Sequence, residues 1–374
     1  MNVYNSIIAM LEKREMAFVD HFIPYYISSF GAHMFNLYNL KKGVYQEHAR
    51  TPDLRLHIMM VAPPGFSKSF FSRQLLHQEY GMMTIPQVPT TFEGYMTQAG
   101  FVGTFKQDSK GAIVKQPGVI ELFKEGIVAT EEFDAITSAM KQQHSFGLDS
   151  AFLDALDGGR VIKRQAGGVI DITTHMTFWG ATQVARFNLT GGLGRRLFFL
   201  LWVPSRSERN QVKTARRKGR NVAFDPVRTS SVRQKIADIR TKLTKIKSVE
   251  FSPDFDDFIK GRVHYEDMLF ERLGIGYHVM RNEFKTELYV DLDSTLEILM
   301  RRSMGWRDRL LAEAEGDQVI QVLRDNGGAM TIETLRDELV VYGMDYRASQ
   351  VLINGLLAAK LIFIKSGKIK VKGG

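Results

Sequence analysis

Lys68 and Ser69 follow a run of small and turn-forming residues, Ala62, Pro63, Pro64, Gly65, Phe66 and Ser67. An apolar stretch, Ile58 to Val61, comes before that run, and Phe70 to Leu76 comes after it. This order reads as a strand, a tight turn and a helix. Backbone N–H groups of such a turn, with the positive end of the following helix behind them, wrap an anionic phosphate. A lysine in the position of Lys68 reaches the outer phosphates, and a hydroxyl in the position of Ser69 holds Mg2+. The cradle departs from the general G-x-x-x-x-G-K-[ST] formula, because Ala62 and Ser67 replace its two glycines.

About sixty residues further on, Gly126 to Thr130 has the pattern of a buried strand and ends in Glu131, Glu132, Phe133 and Asp134. Paired carboxylates at the end of such a strand suit phosphoanhydride hydrolysis: the first holds the metal and the second polarises the attacking water. Glu131, with Ser69, is therefore expected at the metal, and Glu132 is expected as the activating base. A cradle followed by an acidic strand is the order of a P-loop fold, for which ATP and Mg2+ are the expected ligands.

These residues need a scaffold, and the whole chain allows one. Its 374 residues suffice for two or three domains, and 44% hydrophobic with 24% charged residues is the balance of a soluble globular protein. No apolar run approaches the roughly 20 residues that span a bilayer, so a soluble, cytoplasmic protein is expected. There are no cysteines, which excludes disulfides, thiol catalysis and cysteine-bound zinc. The nine histidines are scattered without metal-ligand spacing. A formal charge of +9 favours a polyanionic partner. Much of it clusters in Arg206 to Arg220 and again in Arg233 to Lys247, which suits either DNA contact or a solvated face.

Residues 1–50 have helical spacing, and strands are expected near 56–62, 126–131, 175–182 and 196–203, with helices between them. That alternation predicts an α/β fold with a three-layer core over 51–205. Segment 205–229, polar and interrupted by Gly219 and Pro226, reads as a long loop or linker, and a helical pattern resumes from 230 to 310. The two together, 206–310, form a basic linker and helical lid. Residues 315–374 read as three helices and a hairpin turning at Ser366-Gly367, which is a winged helix. Its third helix would enter a DNA groove, with Lys365, Lys368, Lys370 and Lys372 along the phosphates.

The middle of the chain resembles the ATPase domain of the minichromosome maintenance (MCM) replicative helicases, a branch of the AAA+ superfamily. That family's cradle, G-D-P-G-x-A-K-S, is similar to Ala62 through Ser69, and its acidic strand, G-h-h-h-I-D-E-F-D-K-M, to Gly126 through Asp134. Segments 97–104 and 118–126 resemble the family's insertion in its second helix. The similarity runs over about residues 20 to 205 and more faintly to 310, and the terminal winged helix has a counterpart in the family.

The resemblance implies roles. Residues 152–168 match the hairpin that projects into a central channel and grips DNA, with Lys163 and Arg164 near its tip. Gln183, with Thr182 as the fallback, ends the strand that senses the γ-phosphate. Gly192 to Phe198 resembles the segment carrying the arginine finger for a neighbouring subunit, and the sequence leaves Arg195 and Arg196 as equal candidates. The family's large N-terminal region is expected to be missing. Its second-sensor arginine is replaced by Ser294-Thr295 before Leu296-Glu297, which leaves Arg301 or Arg302 as substitutes.

The expectation is a hexameric, ATP-driven DNA translocase, a replicative helicase of the kind a virus or mobile element would carry. It would act on single-stranded or forked DNA, with other replication proteins as partners. The rivals are a helicase loader or transposition-type regulator that does not unwind, an enhancer-binding activator, and a winged-helix origin-binding protein with an ATP switch.

Overall fold

The computed structural model describes residues 2–62, 68–142, 147–183, 195–202, 204, 206–261, 264–325, 327–341, 346–358 and 361–371. The chain divides into two compact units, Met1–Ser303 and Met304–Gly374.

In the first unit, α1 (Val3–Lys13) and α2 (Val19–Lys42) precede β1 (His57–Val61). Then come α3 (Lys68–Leu76), β2 (Thr90–Phe92), α4 (Gln98–Val102), a hairpin of β3 (Gly103–Gln107) and β4 (Ile113–Pro117), and α5 (Val119–Leu122). β5 (Ile127–Thr130) is followed by α6 (Phe133–Met140) and α7 (Leu148–Asp157). A second hairpin, β6 (Arg160–Gln165) with β7 (Gly168–Thr173), leads to β8 (Thr177–Thr182) and β9 (Leu197–Leu201).

Five of these strands form one parallel sheet in the order β2-β5-β8-β1-β9. β1, β5, β8 and β9 are buried at every position. That is why they read as continuous apolar runs instead of alternating ones, as expected for a sheet covered on both faces. All four lie where the sequence predicts strands. The three-residue edge strand β2 is too short to show a period, and the sequence does not reveal it.

α2 is buried along nearly its whole length, so it shows little amphipathic contrast. It hydrogen-bonds to the sheet: Ser29 Oγ donates to the Leu56 carbonyl at 2.6 Å, and Trp179 Nε1 donates to Ser29 Oγ at 2.8 Å. Arg55, fully buried, pairs with Asp53 at 2.5 Å and donates to the carbonyls of Ala155 and Met176. Burial alone would raise the Asp53 carboxyl, but the Arg55 guanidinium holds it well below the usual carboxylate range. A cation on the last carbonyls of α7 also suits the helix dipole. It fixes the helix end from which the β6–β7 hairpin departs.

α8 (Arg206–Gly219) and α9 (Pro226–Leu243) come next. The loop expected over 205–229 is thus mostly helix. Gly219 and Pro226 bound two helices instead of interrupting a coil: glycine closes the first, and proline opens the second behind the Asp225 cap. Arg216, Arg217 and Lys218 sit at the negative end of α8. β10 (Ser248–Phe251), α10 (Pro253–Ile259), α11 (His264–Arg281) and β11 (Glu287–Val290) follow. β10 and β11 pair in parallel inside a region expected to be wholly helical. α2 and α11 meet backbone to backbone, and a Cβ at Gly276 would lie 1.8 Å from the Ser28 carbonyl oxygen.

α12 (Ser294–Asp325) begins in the first unit. The second unit adds β12 (Ala329–Met330), α13 (Ile332–Val341), α14 (Tyr346–Ala358), β13 (Ile362–Lys365) and β14 (Lys368–Val371). β14 lies between β12 and β13, and the core includes Leu323, Leu335, Leu339, Ile353, Ile362 and Ile369. The hairpin turns at Ser366-Gly367, both with positive φ. The two later helices and the hairpin lie where the sequence places them. Among the described residues, no helix is long and apolar enough to cross a membrane.

Candidate functional site

The carboxyl ends of β1, β8 and β5 lie side by side, and the residues that follow them gather at one edge of the sheet. Ala62 leaves β1 with its N–H donating to the Thr182 carbonyl at 3.2 Å. Pro63, Pro64, Gly65, Phe66 and Ser67 lie outside the described residues. Lys68 opens α3 and donates from Nζ to the Ala62 carbonyl at 2.8 Å, closing the span of the cradle. Burial lowers its pKa, while Asp134 and Glu132 act the other way, so the acidic strand end faces the lysine. Ser69, the next residue, is half-buried.

At the end of β5 the two glutamates differ. Glu131 accepts from both Nε and a terminal nitrogen of Arg73, the second bond at 2.9 Å. Arg73 comes from α3, so this pair ties the helix after the cradle to the acidic strand, and its guanidinium also lies over the Phe92 ring. Glu132 is exposed at the start of α6. Asp134, which the sequence leaves without a role, accepts from Thr182 Oγ1 at 2.5 Å. Thr182 is the last residue of β8 and is buried, while Gln183 just beyond it is half-buried.

Arg195 and Arg196, equivalent in sequence, have different surroundings. Arg196 is 9% exposed and donates to Asp157, the last residue of α7, at 2.5 Å. The Arg195 side chain is 58% exposed and approaches the same carboxylate only to 3.7 Å.

β6 and β7 form the hairpin expected near 160–168, extended to Thr173. Arg164 is exposed near its turn. Lys163 is turned inward: its Nζ donates to the Gly103 carbonyl at 2.9 Å, and burial lowers its pKa. The β3–β4 hairpin packs alongside, with Phe105 against Gly167 and Gly168. A Cβ at Gly167 would come within 2.6 Å of Phe105, so glycine at this position of the turn is what lets the two hairpins meet. In the second unit Lys365 and Lys368 are exposed and Lys370 is half-buried, whereas Lys372 lies outside the described residues.

A cavity of about 580 Å3 opens beside α3, against the turn between α1 and α2 and the face of α8. Phe70, Phe71 and Trp202 supply aromatic surface, and Arg209, Lys213 and Arg216 line the opposite side. The only available signal was the adjacency of Phe70-Phe71 to Lys68-Ser69. Without α8 as a helix, the cations could not be assigned to one wall.

Among the described residues no group of three His, Cys, Asp or Glu side chains is arranged to hold a metal. A Mg2+ ion bound mainly through substrate phosphates needs only one or two protein oxygens. No protein-family model matches the chain, and no curated protein sequence matches it significantly.

Proposed function

We propose that the first unit is an ATP-hydrolysing motor of the AAA+ class, similar to the MCM replicative helicases, and that it drives movement along DNA. The observation that carries this reading is the convergence of Lys68, Glu132, Asp134 and Thr182 on one edge of a parallel sheet, outside the carboxyl ends of adjacent strands. Open parallel sheets bind their ligands there. Lys68 neutralises the outer phosphates, and Glu132, exposed and unencumbered by Arg73, takes a proton from the attacking water. Thr182 is tied to Asp134, which leaves Gln183 to orient that water. Ser69 and Glu131 are the oxygen donors for Mg2+, which neutralises charge on the phosphates when bound.

The exposure of Arg195 supports a finger acting on the next subunit of a hexameric ring, because a side chain that completes a neighbour's site must leave its own subunit. Arg196, buried on Asp157, is suited to holding that segment in place. The aromatic and basic cavity beside α3 is suited to the base and ribose side of the nucleotide. The paired hairpins β3–β4 and β6–β7 present Arg164 and Lys106 to a nucleic-acid strand. The second unit, three helices with a basic hairpin, is read as a winged helix that binds DNA.

The test is ATP hydrolysis by wild type and Glu132→Gln, with and without single-stranded DNA, together with displacement of a forked duplex. DNA-stimulated turnover with displacement, both lost in the variant, is the expected result. Turnover without displacement would point to a loader, and absence of turnover would leave an ATP-binding switch on a DNA-binding protein.

A further inference from the structure

We infer that α14 reads A·T base pairs in the major groove of duplex DNA, through Asn354 held in place by Gln350 and Arg336. This rests on the reading of the second unit as DNA-binding and goes beyond it by naming the sequence class. An α-helix with its side chains matches the width of the major groove, about 12 Å.

Val351, Asn354, Gly355 and Ala358 are exposed on α14 at i, i+3, i+4 and i+7, so they share one face. That face is uncharged from Val351 to Ala358. It does carry an oriented amide. Arg336 donates to Gln350 Oε1, and Gln350 Nε2 donates to Asn354 Oδ1 at 2.9 Å. Arg336 is itself fixed, donating to the Tyr346 hydroxyl at 2.6 Å and lying over its ring at 4.8 Å. The Asn354 amide keeps both NH2 donors and one oxygen lone pair for an outside partner. In the major groove that donor–acceptor pair matches adenine, whose N7 accepts and whose N6 donates. Val351, 72% exposed, offers methyl groups to the thymine C5 methyl.

Gly355 points the same way. A Cβ built there meets nothing within 4 Å, so no contact among the described residues requires glycine. Glycine in a helix interior nevertheless costs about 1 kcal/mol relative to alanine. Close approach of the helix backbone to base edges accounts for it. Lys365 and Lys368 on the adjoining hairpin are exposed and supply the charge for phosphates on either side of the groove.

The experiment measures binding of the full chain, without nucleotide, to short duplexes with A·T or G·C cores by fluorescence anisotropy. The expected preference is about tenfold for A·T, the discrimination of one good amide–base pair. Replacing core adenines with 7-deazaadenine removes N7 and should erase that preference, as should Asn354→Ala, with affinity for the G·C duplex unchanged. Gly355→Gln favours the helix but fills the groove-facing space, so it should weaken both duplexes while leaving the melting temperature unchanged or raised. The double variant Lys365→Ala, Lys368→Ala should weaken both equally and flatten the salt dependence by about two counterions.

Equal affinity for the two cores, or a preference that survives Asn354→Ala, would overturn the A·T assignment alone. Duplex binding indifferent to all these variants would overturn the DNA-binding reading of the second unit as well, and would leave this face to a protein partner. Loss of the ATPase reading would not change any of these readouts.

Discussion

Arg196 and Asp157 form a contact at 2.5 Å that joins the start of β9 to the last residue of α7, one glycine pair before the β6–β7 hairpin. The segment expected to carry the arginine finger is thereby tied to the base of the hairpin expected to touch DNA. The arginine of this pair is buried and the aspartate is about half exposed, so the contact is worth less than a fully buried ion pair.

Asp157→Ala should therefore lower stability by about 1–2 kcal/mol, seen as a fall of a few degrees in the melting temperature. Arg195→Ala should leave the melting temperature unchanged. In the proposed motor it should reduce ATP turnover by about a thousandfold, the lower end of what an arginine finger contributes. Equal destabilisation by both substitutions would contradict the distinction between the two arginines.

Arg73 occupies both oxygens of Glu131, the carboxylate assigned to Mg2+. The arginine is half exposed, and such a pair contributes at most about 1 kcal/mol. In the proposed ATPase, Arg73→Ala should release Glu131 and lower the Mg2+ concentration needed for half-maximal hydrolysis by up to about fivefold. Glu131→Ala should raise it. An Arg73→Ala variant that needs more Mg2+ would show that the arginine positions the carboxylate instead of competing with the metal.

The parts of this molecule visible in the sequence are those with strong local causes. β1, β5, β8 and β9 are fully buried apolar runs bounded by polar turns, and the terminal hairpin carries Ser366-Gly367 at its turn. The nearness of Lys68 to the acidic end of β5 is expected from the sequence, because a lysine after one strand and carboxylates after another meet where parallel strands end side by side. Gly219 and Pro226 read as interruptions of a loop over 205–229, whereas helix ends are where those residues belong. Tertiary contacts between distant segments left no local trace. Nothing near Arg73 announces Glu131, nothing near Asp157 separates Arg195 from Arg196, and Lys163 turns inward because Gly103 happens to lie opposite it.

Gly276 and Gly31 test the close contact between α2 and α11. A Cβ at Gly31 would lie 2.3 Å from the Gly276 carbonyl oxygen, and one at Gly276 would lie 1.8 Å from that of Ser28. Both clashes are with backbone, which cannot rotate away. Gly276→Ala should cost about 3 kcal/mol, the upper part of the usual range for overpacking. Gly305→Ala, where a Cβ meets nothing within 4 Å, should be neutral or stabilising by up to about 1 kcal/mol. Thermal melts of the two variants compare the positions directly.

Glu271 and His33 set opposite pH slopes. Burial, with Glu47 nearby, pushes the Glu271 carboxyl up to about 7, while its hydrogen bond from Tyr45 acts the other way. The folded chain keeps that proton up to about pH 7, whereas the unfolded chain releases it near 4.5, so stability falls as pH rises between the two. Burial lowers His33 to about 4, with the imidazole held between Thr177 Oγ1 and the Glu125 carbonyl. The unfolded chain takes up that proton near 6.5, so this contribution is lost as pH falls from 6.5 to 4. Each effect is on the order of 3 kcal/mol across its window. Glu271→Gln should therefore melt higher than wild type at pH 8 and equally at pH 4, and between pH 4 and 6.5 its melting temperature should rise more steeply than that of wild type. A difference from wild type that does not change with pH would mean that the Glu271 carboxyl titrates alike in the folded and unfolded chains.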